Sequence, residues 1–298
     1  MTNRSPIQPS RSQMRILSWN LNFRSPKCLE GIQGLEPDIV MLQEITHKNE
    51  NGIKAALQLV GCKNCCYSGA ESDDRKRYGN ITASRWPLTA ASRGWAPKMP
   101  WPQLGLRATV HTLDGDIDTI NVHVPNGSGN GWRKIDSLEA LADVLESGDD
   151  IARILAGDFN EPQTILPNGQ LVTFGQLIYP DGSIRLGRRE RGGAPPGSFT
   201  DKEFRTYDLH RWDSTVRRIF EGSLRHGLRH VHKVEGDGPF HVPTTHIANG
   251  QPRFFDHLFV SRHFRITRYR YVDDVREQLR YSDHSAVYAD VKFDGVNG

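Results

Sequence analysis

Cysteine is scarce in this chain: Cys28, Cys62, Cys65 and Cys66 are the only four among 298 residues. Cys62-Lys-Asn-Cys65-Cys66 contains a CxxC, but Cys28 is the only other cysteine. A zinc site would need a second Cys or His pair at matching spacing. The stretch therefore reads as a half-buried strand rather than a metal or redox centre. No apolar run approaches the roughly 18 residues that span a bilayer. The first dozen residues are polar, carry Pro6 and Pro9, and lack an apolar signal core. They read as a loose tail, about 1–13, and a cytoplasmic location is the default. Gly-x-Gly-x-x-Gly, a P-loop, internal repeats, heptads and a linker are all missing. These absences argue against a dinucleotide fold, a Walker-type nucleotide site and a multidomain array. One domain over 14–298 is expected, and a monomer.

What is present is a full core's worth of apolar residues, at 37%, spread along the whole chain. Net charge is only +3, but it is uneven. The window 185–233 holds 12 basic and 6 acidic residues, mostly arginine on the basic side, and four histidines. Guanidinium grips phosphate with paired hydrogen bonds, so the window suits a phosphate-bearing partner, and an ordinary solvated surface is the competing reading.

Polar clusters recur where apolar runs stop. Met14–Asn20 alternates and ends in Asn20-Leu21-Asn22. Ile39–Leu42 is apolar and ends in Gln43-Glu44. A hairpin, Leu104–Leu113 and Asp116–Val124, delivers His123 and Asn126. Ile151–Leu155 ends in Gly157-Asp158-Phe159-Asn160. Asp256 lies inside an apolar strand, 252–260, and Asp283-His284 precedes the strand 286–291. Helices are expected at 27–35, 49–60, 132–146 and 212–226. The segment 163–202 shows little pattern and reads as a long basic loop carrying Arg185, Arg188, Arg189 and Arg191. Strands and helices alternate with hairpins between them, which argues for a mixed sheet covered by helices. Carboxylates and amides are hard oxygen donors, suited to Mg²⁺ or Mn²⁺ and to phosphodiester hydrolysis.

Seven motifs then occur in order: Trp19-Asn20-Leu-Asn22, Gln43-Glu44, Gly79-Asn80 with Ser84-Arg85, Asn121-Val-His123-Val-Pro-Asn126, Gly157-Asp158-Phe-Asn160, Phe255-Asp256 and Ser282-Asp283-His284. Together they resemble the endonuclease/exonuclease/phosphatase superfamily, the fold of deoxyribonuclease I and exonuclease III. The resemblance implies an α/β fold, a four-layer α/β/β/α sandwich with two mixed sheets and the site at one rim. By position, Glu44 would bind the metal, with Asn22 and Asp283 helping. Asp158 would orient and activate water. Asn160 would hold the phosphate or the nucleophile, Asn126 the scissile phosphate, and Arg85 would contact substrate. His284 would stabilise the phosphoryl oxygen, with Asp256 fixing its tautomer. Asn20 would brace the Asp283 side, and His123 would help protonate the leaving oxygen.

Val124-Pro125-Asn126-Gly and the following helix resemble the exonuclease III branch. His123, however, stands where that branch carries tyrosine. The approach to Asp256 reads Gln251-Pro-Arg253-Phe-Phe255 and lacks the tryptophan of abasic-site enzymes. The expectation is a Mg²⁺- or Mn²⁺-dependent DNA nuclease, with the four loop arginines clamping the backbone. Two rivals stand beside it: a phosphatase acting on nucleotides, inositol lipids or sphingomyelin, and a nucleic-acid-binding module without catalysis. Trp95–Trp101 reads as a Pro-stiffened loop or a stacking surface for bases.

Overall fold

The structure, a computed structural model, describes residues 13–69, 78–147, 150–186, 206–233 and 242–294. The tail at 1–12 and the arginines 188, 189 and 191 lie outside these residues. The first sheet begins with β1 (Gln13–Asn20), β2 (Ile39–Ile45), β3 (Asn64–Tyr67) and β4 (Gly79–Ser84). The chain then lays down β5 (Leu88–Ala90), β6 (Gly105–Thr112), β7 (Gly115–His123) and β8 (Arg153–Asp158) of the second sheet. Two small hairpins follow, β9 (Thr164–Ile165) with β10 (Leu171–Val172) and β11 (Gln176–Ile178) with β12 (Ile184–Leu186). The described part of the expected loop is therefore hairpin, built from strands too short to show a period. β13 (Leu228–His230), the hairpin β14 (His246–Ala248) and β15 (Gln251–Arg253), and β16 (Asp256–Ser261) come next. β17 (Phe264–Val272) and β18 (Ala286–Phe293) return to the first sheet.

Strand orders are 17-18-1-2-4-3 and 13-16-8-7-6-5. Each sheet holds one parallel pair, β1 with β2 and β7 with β8, among antiparallel neighbours. Both are mixed, as expected. The helices are α1 (His47–Leu59), α2 (Gly127–Asn130), α3 (Arg133–Glu146), α4 (Thr206–Phe220), α5 (Ser223–His226) and α6 (Asp274–Glu277). Pro26–Leu35 is a 3₁₀ helix rather than an α-helix. Among the described residues no helix is long and apolar enough to cross a membrane.

Period-two alternation builds the layers. Leu17, Val40, Leu42 and Ile81 face outward and pack with Leu29, Ile32, Ile53 and Leu57 of the first helical layer. Ile120, Leu155 and Phe259 face the other way and pack on Ile135, Leu138 and Leu141 of α3 and Trp212, Val216 and Ile219 of α4. Between the sheets lie Met14, Ile16, Ile39, Met41, Ile117, Ile154, Ala156, Leu258 and Val287. Three apolar cores separate four layers.

The same alternation places the site. Along β1 the inter-sheet face reads Met14, Ile16, Ser18, Asn20; along β7, Ile117, Thr119, Asn121, His123; along β8, Ile154, Ala156, Asp158. Each strand runs from apolar to polar toward one rim. Beneath that rim a buried amide network joins the sheets. Gln43 donates to Asn121 Oδ1 at 2.8 Å, Asn121 donates to the Ile81 carbonyl at 2.9 Å, and Asn80 donates to the Leu104 carbonyl at 2.8 Å.

Candidate active site

His123, Asp158 and Asp256 are the end residues of three adjacent strands and sit side by side in register. Glu44 needs a different device. Regular alternation would point it outward with Leu42. The ladder is instead irregular between Leu42 and Ile45, and Glu44 has φ 59°. Such a bulge re-aims one side chain. Glu44 Oε1 accepts a hydrogen bond from Asn20 Nδ2 at 3.1 Å.

Asn20 Nδ2 also donates to Asp158 Oδ2 at 3.0 Å, so one buried carboxamide spans the two carboxylates. Its Oδ1 takes the Asn22 N–H at 2.9 Å. The side chain braces Glu44 and Asp158, and only the Asn20 carbonyl, which accepts from Ser282 Oγ at 2.7 Å, reaches toward Asp283. Trp19, fully buried, holds the same segment by donating to the His284 carbonyl at 2.9 Å.

His284 Nδ1 lies 2.8 Å from Asp256 Oδ2, while its Nε2 is 3.9 Å from Asp158 Oδ2. Burial works against the charged imidazole. Asp256, with Asp158 and Asp283 beyond it, outweighs burial and raises the pKa to about 10. His284 is a cation at neutral pH. His123 is the opposite case. Burial and the nearby His284 lower it to about 3, although its Nε2 lies 3.5 Å from Glu44 and 3.7 Å from Asp158. The His123 ring, 5% exposed, lines the rim beside both carboxylates.

Burial lifts Asp158 from 3.8 to about 7, opposed by His284 and helped by Asp256 and Glu44. Burial also raises Glu44. Converging buried carboxylates with one amide between them form a place that a cation would stabilise. Glu44, His123 and Asp158 bring ligand atoms within 4.8 Å of one another, as do His246, Asp283 and His284. The carboxylate oxygens in these groups suit a divalent ion.

Asn160 (φ 49°) donates its N–H to Asp158 Oδ1 at 2.8 Å and its Nδ2 to the Val124 carbonyl at 2.9 Å. Asn126 is exposed at the start of α2, where its Oδ1 accepts from Gly129 N at 2.9 Å. That cap leaves the carboxamide NH₂ as the group a ligand could meet.

Arg85 does not join the site. It follows Ser84, which pairs with Ile39 at the opposite end of β2, and it is ion-paired with Asp38 at 2.9 Å. Arg185 is exposed on the β11–β12 hairpin, 5.4 Å from the Tyr179 ring. The helical arginines are not a free basic face either. Arg211 binds Asp136 and Glu139, and Arg218 binds Asp143 and Glu146, tying α4 to α3. Trp95 is half-buried against Met99 and Ala140, and the half-buried Trp101 ring has the Arg133 guanidinium over it at 5.1 Å.

Three participants went unread in the sequence. His246 stacks on His284, with ring centroids 4.3 Å apart and planes at 19°. Tyr78 faces His123 at 5.4 Å. Lys134, fully buried, donates to the Asn160 carbonyl at 2.6 Å and pairs with Glu161 at 2.9 Å. Lys134 was legible, because it lies four residues before Leu138 on the apolar face of α3.

The layers and the rim define a class: a two-sheet sandwich whose strand ends converge on carboxylates, amides and a paired imidazole. The family model described as Endonuclease/Exonuclease/phosphatase family matches residues 17–284, and the chain belongs to that family. Its members are hydrolytic phosphoesterases and generally depend on a divalent metal. Similar solved structures include an AP endonuclease from Archaeoglobus fulgidus (TM-score 0.61, 18% identity, 93% of this chain and 98% of that one). Another is the 3′ phosphatase NExo from Neisseria bound to product DNA hairpin (0.59, 22%, 94% and 99%). A third is ANGEL2, a 2′,3′-cyclic phosphatase (0.59, 16%, 95% and 95%). No curated protein matches the sequence.

Proposed function

We propose that the chain is a Mg²⁺- or Mn²⁺-dependent nuclease that hydrolyses DNA phosphodiesters by in-line attack of water. The observation that carries this reading is the Asn20 carboxamide shared between Glu44 and Asp158, with the His284–Asp256 pair alongside. It supports a reading in which a candidate base, a hydrogen-bond donor and a candidate metal-binding carboxylate serve one point. A divalent ion held by Glu44, with Asp283 and Asn22 beside it, would supply charge neutralisation at phosphorus.

The chain's own residues do the rest. Asp158, fixed by Asn20 and the Asn160 N–H, aligns a water and takes its proton as the water oxygen bonds to phosphorus; the P–O bond in line with it breaks, and the leaving oxygen takes a proton from solvent or through His123. His284 presents Nε2–H to a phosphoryl oxygen, because Asp256 holds Nδ1, orients the ring and stabilises its charge. Preorganised donors of this kind contribute about 10²–10³-fold each. Asn126 and the second Asn160 amide hydrogen orient the phosphate. Arg185, with Arg188, Arg189 and Arg191 outside the described residues, contacts the backbone; neutralising all four should flatten the salt dependence of binding.

Cleavage of labelled single-stranded, duplex, nicked and abasic DNA, with Mg²⁺, Mn²⁺ or EDTA, tests the proposal. Metal-dependent cutting that Asp158→Ala abolishes is expected. Release of phosphate from nucleotides or inositol lipids, with every DNA intact, would move the chain to the phosphatase reading.

A further inference from the structure

Beside the carboxylates the backbone breaks a local rule. Arg24 N–H donates to the Leu21 carbonyl at 3.0 Å, closing a turn whose central residues are Asn22 (φ 44°) and Phe23 (φ 57°). Two successive positive φ angles belong to turns built from asparagine and glycine. Asn22 obeys that chemistry. Phe23 does not, because a bulky side chain is strained in the left-handed region. Asn49 of α1 locks the arrangement, donating Nδ2 to the Phe23 and Arg24 carbonyls at 3.1 Å each.

Burial does not explain the phenylalanine, since it remains 41% exposed. Its ring instead meets Tyr78 edge-on, with centroids 5.0 Å apart and planes at 76°. Tyr78 in turn faces His123, whose Nε2 approaches Glu44 and Asp158. Three rings thus make a continuous wall from solvent down to the reacting centre. Strain held at an exposed residue beside a site points to a ligand contact rather than to folding.

We propose that Phe23 and Tyr78 form a stacking platform for the nucleobase flanking the scissile phosphate. The inference rests on the nuclease reading and sharpens its substrate class. Aromatic faces accept any base, so the platform selects nucleotides with a base over base-less sugars without reading sequence. An inositol headgroup offers no such face.

The test compares two oligonucleotides, one intact and one with a base-less spacer beside the cleaved bond, in the full chain with Mg²⁺. The quantity read is the ratio of kcat/KM for the intact strand to that for the spacer strand. Phe23→Gly should cut this ratio about ten- to hundredfold, the range expected for one lost stack. Phe23→Trp should preserve it. Because glycine suits the turn, Phe23→Gly should also melt no lower than wild type, which separates lost stacking from lost folding. An unchanged ratio in Phe23→Gly would overturn the platform while leaving the nuclease intact. A wild type that cuts neither strand would remove the nuclease reading, and the platform with it.

Discussion

The two ends of the inter-sheet layer are built on the same strands and obey opposite rules. At one end Met14, Ile16, Ile39, Ile154 and Val287 are dry and interdigitated. At the other, the same faces carry Asn20, His123, Asp158 and Asp256, nearly all buried and several ionisable. Between them Ser18, Gln43, Asn80, Thr82 and Asn121 form a belt of buried polar side chains, tied together by amide hydrogen bonds. The dry end lowers the free energy of folding. The rim raises it by holding carboxylates out of water, and the belt keeps that rim in place. Stability and chemistry are thus separated along the strand axis, not between domains.

Mutations should break the comparison in order of size. Asp158→Ala should reduce cleavage by about 10²–10⁴-fold, the usual contribution of a general base, in a steady-state assay. Lys134→Met should come next. It strands Glu161 without its buried cation and should cost about 3–5 kcal/mol in urea denaturation, with cleavage also falling because the Asn160 carbonyl loses its donor. Ile154→Ala, at the dry end, should cost about 2–5 kcal/mol and leave the pH–rate profile of the surviving folded enzyme unchanged. Arg218→Ala, on the outer helices, should cost below about 1 kcal/mol, because its carboxylate partners, Asp143 and Glu146, are 42% and 22% exposed and the pairs are screened by water. It should not alter the salt dependence of DNA binding.

Much of the frame was legible because alternation reports faces directly. Asn20, His123 and Asp158 each fall in step with the apolar residues before them, so their strands announced both fold and rim. Glu44 was found by position at a strand end, but its direction depends on a bulge that no periodicity shows. His246 was hidden because its hairpin has three-residue strands, and its importance arises only from stacking across the fold on His284. The ion pairs of Arg211 and Arg218 join two helices and do not show in the arginine-rich window read by itself. Asp136, Glu139, Asp143 and Glu146 form a helical stripe on α3, and reading it against α4 would have paired Arg211 and Arg218 in advance.

The central claim is that the rim carries its chemistry at the expense of stability. Its most direct measurement is the melting temperature of wild type and Asp158→Asn from pH 5 to pH 8, with and without Mg²⁺. A carboxylate raised from 3.8 to about 7 in the fold binds its proton more tightly folded than unfolded. Its contribution is therefore fully present below 3.8 and is lost as pH rises through 7. Groups that Asp158 does not perturb cancel in the difference. The account predicts that, without metal, the variant gains on wild type as pH rises, and that Mg²⁺ narrows the gain by stabilising wild type more. A difference that stays flat with pH, or that Mg²⁺ leaves untouched, would contradict it.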